Sequence, residues 1–140
     1  YTGRNMNIVE PWHGGLRGLA FHPDFDINGK FYTSVMEDRP ANITGHKYIS
    51  DDPNAIAADG VVLEWTYNHT SKQTSASTYR ELFRVGMADY GHTIREISFN
   101  RYAKPGDEDY GLLYITHGDG SDQSATAGGG QRNDALGKIL

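Results

Sequence analysis

Two stretches of the chain read alike. Gly15-Leu16-Arg17-Gly18-Leu19-Ala20-Phe21 lines up with Thr93-Ile94-Arg95-Glu96-Ile97-Ser98-Phe99, which sets Phe21 opposite Phe99. Each copy runs into a turn containing Gly and then into an aromatic strand, Phe31-Tyr32-Thr33 in the first and Leu113-Tyr114-Ile115-Thr116 in the second. The second copy's turn is longer and acidic, through Gly106-Asp107-Glu108-Asp109. A unit that repeats in this way buries its apolar face against its neighbours, which points to a repeat architecture. Alternating apolar residues predict strands over 16–21, 30–36, 61–67, 79–85, 94–99 and 112–116. No window carries a capped 3.6-residue apolar period, so the expected class is all-β. Four short strands per unit is the pattern of a propeller blade. A β-sandwich of similar strands is the alternative on this ground alone.

As blades, the units fall at about 14–90 and, incomplete, at about 91–140. The second stops in mid-strand at Leu136-Gly137-Lys138-Ile139-Leu140. About one to two blades leave sheet edges unpaired. The expectation is one partial domain over 1–140, an excerpt of a longer protein.

Composition narrows the function classes. The 140 residues carry a net charge of −5, and the 13 Lys and Arg are scattered, so nucleic acid is not an expected partner. No apolar run reaches the roughly 18 residues of a membrane span. The absence of Cys removes disulfides, zinc-thiolate sites and thiol catalysis together. Asn42-Ile43-Thr44 and Asn68-His69-Thr70 fit the N-glycosylation sequon, which is also met by chance. Asp119-Gly120-Ser121-Asp122 begins like an EF-hand loop but has Gly130 where the bidentate Glu belongs. Gly137-Lys138 fails as a P-loop, with Arg132 in place of the first Gly and Ile139 in place of Ser or Thr.

Three segments together resemble the glucose/sorbosone dehydrogenase family, which includes soluble quinoprotein glucose dehydrogenases and aldose sugar dehydrogenases. The first is Gly15 to Phe21 with His22-Pro23-Asp24-Phe25, followed by Asn28-Gly29-Lys30-Phe31-Tyr32. The second is His92, seven residues before Phe99, in the family's His-x-Gly-Gly-x-Leu-x-Phe frame. The third is Leu113-Tyr114-Ile115-Thr116-His117-Gly118-Asp119-Gly120 with the terminal Leu136 to Leu140. Ile94 and Arg95 stand where the family has two glycines. Ile94 is expected to crowd the backbone's approach to a cofactor, and the longer acidic turn to reshape the mouth of the site.

The resemblance implies a six-bladed β-propeller that binds pyrroloquinoline quinone (PQQ) with calcium and oxidises an aldose sugar or related alcohol, passing electrons to an acceptor. It places the catalytic base at His92 and the carboxylate that orients it at Asp119, with substrate contacts at His13 and Gln123. No cofactor- or calcium-binding residue is assigned, the main ones being expected outside this chain. A periplasmic or secreted location goes with the family. His117 and His22 are read as structural. The alternative is a non-enzymatic ligand- or protein-binding propeller of the same superfamily, hedgehog-interacting-like. A calcium-dependent hydrolase propeller is a third and weaker reading.

Overall fold

Strand pairing accounts for nearly all the regular structure. The computed structural model describes residues 14–38, 58–87, 91–120 and 137–140. Within them lie β1 (Gly15–Phe21), α1 (Phe25–Asn28), β2 (Lys30–Asp38), β3 (Ala58–Asn68), β4 (Gln73–Thr74), β5 (Arg80–Met87), β6 (Ile94–Phe99), β7 (Leu113–His117) and β8 (Lys138–Ile139). Every pairing among the described residues is antiparallel. One sheet runs β1-β2-β3-β4, with β5 also on β3, and a second runs β6-β7-β8. The chain is all-β, as its alternation predicts.

The sequence repeat is visible in the strand registers. In the first hairpin Ala20 pairs with Tyr32 and Phe21 with Phe31. In the second, Ser98 pairs with Tyr114 and Phe99 with Leu113, the aligned positions. The bulge recurs too, between Leu16 and Gly18 in one hairpin and between Ile94 and Ile97 in the other.

The first turn is built by its signature residues. His22 Nδ1 accepts from the Asp24 N–H and the Asn28 amide, both at 3.0 Å, and Asn28 Oδ1 accepts from the Lys30 N–H at 2.8 Å. The four residues between close into α1, which ends at Gly29 in the left-handed region (φ 66°). A side chain there would strike the backbone of Tyr67, whose N–H bonds the Gly29 carbonyl at 2.8 Å. His22 is therefore a scaffold residue, and its ring also meets Phe99 edge-on at 5.5 Å.

Alternation sends the two faces of the first sheet to different cores. Ala20, Tyr32 and Val62 pack with Ile94 and Ile97 of the second sheet, so this core lies between the sheets. Val35, Val61, Leu63 and Trp65 form the other, with Phe31 stacked on Trp65 at 6.2 Å. Each such aliphatic side chain, fully buried, contributes roughly 1.5–3 kcal/mol relative to exposure.

Two charge clusters, centred on the buried Glu64 and on Arg84, hold the strands of the first sheet in register. Glu64 accepts from the Tyr32 hydroxyl at 3.0 Å and pairs with Lys30 at 3.4 Å and Arg80 at 3.2 Å. Burial alone would raise its pKa, but hydrogen bonds from Tyr32 and Arg80 and the charges of Lys30 and Arg80 leave it lowered. Arg84 reaches Glu81 at 2.7 Å, Asp59 at 2.8 Å and Glu37 at 3.0 Å, tying β5 to β3 and β2. Burial opposes its charge, and hydrogen bonds to the three carboxylates more than reverse that, so its pKa is raised.

Candidate active site: a histidine–aspartate pair at one end of a hairpin

Antiparallel pairing brings His92 and Asp119 together. The β6–β7 ladder ends at the pair Ile94 and His117. Two residues farther out on each side stand His92 and Asp119, so the register that pairs the strands also opposes these side chains. His92 Nδ1 lies 2.5 Å from Asp119 Oδ1. An ionised carboxylate only accepts, which makes Nδ1 the protonated nitrogen and leaves Nε2 as the acceptor. The imidazole is 46% exposed and the carboxylate 29%, and Nε2 has no partner among the described residues. An exposed lone pair beside a fixed tautomer is what a general base needs.

The loop that carries the pair is tightly constrained. His92 has φ 53°, in the left-handed region, a conformation that costs on the order of 1–3 kcal/mol for a residue with a side chain. Its carbonyl accepts from the Gly120 N–H at 3.3 Å, and Gly120 is itself left-handed at φ 66°. Opposite, Gly118 lies against the main chain of His92, and its carbonyl accepts from the Gly137 N–H at 2.8 Å. His117 is buried, with Nδ1 donating to the Gly118 carbonyl at 2.5 Å, a structural placement. Thr93 is buried beside Gly60, where a Cβ would come 2.7 Å from the Thr93 hydroxyl.

Two sequence expectations are corrected. Ile94 does not crowd the site, because its side chain is fully buried in the core between the sheets, against Ala20, Tyr32 and Val62. The long acidic turn does not reshape the mouth either. It joins Phe99 to Leu113, at the opposite end of the hairpin from His92 and Asp119. There it closes on itself, Lys104 N–H to Asp107 at 2.8 Å and Asn100 to Asp109 at 2.5 Å, and reaches the first sheet through the Tyr110 hydroxyl on Asp24 at 2.6 Å.

His13 and Gln123 lie outside the described residues, as does the sequon at Asn42. Asn68 caps an exposed turn, its Oδ1 accepting from the Thr70 and Ser71 N–H groups at 2.9 Å. Sequence reasoning overlooked the nearness of Arg17 on β1 to Arg95 on β6. Burial, and then the positive charge of Arg95, lower the Arg17 pKa. A groove of about 700 Å³ runs along the seam at the far end, between Leu19, Phe21, Glu96, Phe99 and Tyr110. Neither His92 nor Asp119 lines it. Among the described residues no three His, Asp or Glu side chains converge on one point, and no helix is long and apolar enough to cross a membrane.

No family model matches the chain. It is similar to two proteins of Arabidopsis thaliana, the HIPL2 protein at 30% identity and the HIPL1 protein at 28%. Each alignment takes in 90% of this chain and 20% of the relative, so the chain spans about a fifth of the length of the curated relatives it matches.

Proposed function

We propose that the chain carries the proton-accepting end of a quinone-dependent oxidoreductase that acts on an aldose sugar or a related alcohol, in a periplasmic or secreted β-propeller. The observation behind this reading is the His92–Asp119 pair at 2.5 Å with Nε2 turned free. His92 Nε2 takes the proton of the substrate hydroxyl and the ring becomes an imidazolium. Asp119, already bonded to Nδ1–H, favours that charge without taking the proton itself. When bound, pyrroloquinoline quinone supplies the hydride acceptor, and an external acceptor then takes up the electrons.

The residues present are compatible with such a group. The side chain of Ile94 is buried in the core between the sheets, away from solvent. Arg95, three residues along from His92, and Arg17 on β1 of the facing sheet are the guanidinium groups that would meet its carboxylates. Calcium is given no ligand among the described residues.

The full-length protein, reconstituted with the quinone and calcium, is expected to reduce a redox dye when given an aldose. His92→Ala is expected to lower kcat by about 10²-fold or more. Wild-type turnover in that variant would remove His92 as the base.

A second reading is a non-enzymatic binding propeller. It is supported by Leu16, Leu19 and Phe21 of β1, each more than half exposed, which give this strand an apolar outer face. The likeness to the two HIPL proteins supports it as much as the first, since their names state no reaction. On this reading no aldose reduces the dye, with or without His92.

A further inference from the structure

We propose that Gly118 is the positioning residue of the pair: its missing side chain lets the end of β7 close on the main chain of His92 and so directs the imidazole at Asp119. This rests on the reading of His92 and Asp119 as a working pair.

The argument is one of space. A Cβ built on Gly118 would lie 2.8 Å from His92 Cβ and 3.0 Å from its carbonyl carbon, and nearer still to its carbonyl oxygen. These are backbone and Cβ atoms, which no rotamer change can move aside. Gly118 cannot give way, because its carbonyl is held by the Gly137 N–H at 2.8 Å and its neighbour His117 is paired with Ile94 on one side and Lys138 on the other. The strain therefore falls on His92. That residue is held in the left-handed region at φ 53° partly by the Gly120 N–H on its carbonyl, a long bond at 3.3 Å. With a methyl group at 118, the His92 main chain moves out, the carboxylate loses Nδ1, and the ring is free to exchange tautomers. Gly118 thus sets which nitrogen faces outward without touching a substrate.

The tautomer of His92 can be read by NMR of histidine-labelled protein, above the pH at which the ring is protonated. Wild type is expected to hold the single Nδ1–H form, and Asp119→Ala a mixture of both. Gly118→Ala is expected to give the same mixture as Asp119→Ala. Gly111→Ala, which strains a left-handed glycine (φ 79°) at the far turn, is the control and should lower thermal stability while leaving the His92 tautomer as in wild type. A single Nδ1–H form persisting in Gly118→Ala, or a mixture appearing in Gly111→Ala, would overturn the proposal. Persistence of the single form in Asp119→Ala would instead sink the pair itself, and this inference with it. Should Gly118→Ala fail to fold, the wild type decides by the cross-relaxation between the Gly118 α-protons and the His92 β-protons: a strong signal supports the close approach, and its absence refutes it.

Discussion

Asp119 matters to His92 through what it cannot do. A carboxylate offers no hydrogen to Nδ1, so the ring must donate there and keep Nε2 for the outside. An amide in its place can donate, which reverses the assignment. Asp119→Asn is therefore expected to keep the fold and to lower kcat by about 10²-fold or more, with the thermal midpoint little changed. Steady-state kinetics beside a melting curve checks both halves. His92 and Asp119 could be named from the sequence only through a family frame, because nothing local distinguishes His92 in Gly91-His92-Thr93 or Asp119 between two glycines. Their opposition could be derived only with the β6–β7 register in hand. Gly118 was not legible, since its role depends on the distance to a segment remote in sequence. Ile94 was misread because the bulge between Ile94 and Ile97 decides which way its side chain points.

Within the elements, β3 is the strand on which the first sheet depends. It pairs with β2 along its length and with β4 and β5 on the other side. Glu64 at its middle joins Tyr32, Lys30 and Arg80 across three strands. Its pKa is lowered in the folded state, so the unfolded chain binds the proton more readily. The stability it contributes is then fully present above the ordinary glutamate range and lost as the pH falls through the folded value. Thermal midpoints of wild type and Glu64→Gln are expected to differ at neutral pH and to converge in acid. A difference that stays constant with pH would remove Glu64 as the source. The long strands were legible because alternation and turn residues mark them. The two-residue β4 and β8 and the four-residue α1 are too short to show a period. Arg84 carries no signal in the sequence, and only the three-strand register places it among carboxylates.

At the scale of the molecule, the two sheets share one core, and Ile97 is its contribution from the middle of β6. Ile97→Ala is expected to cost about 2–5 kcal/mol in urea unfolding, as removal of buried methylenes leaves a cavity. Ile139→Ala, at a residue 74% exposed, is expected to stay within about 0.5 kcal/mol. Equal effects would mean that the seam is not where the sheets are joined. The all-β class and the repeated hairpin were legible from the alignment of the two copies. The propeller is a proposal from the resemblance.

The hairpin that carries His92 and Asp119 keeps its constrained loop at one end and its long acidic turn at the other. Glu108, in that turn, is exposed and already carries a side chain. It is thus a natural attachment point. A fluorophore or affinity tag placed at 108 would report on the molecule from the side away from the pair, and leave the hydrogen bond at the opposite end undisturbed.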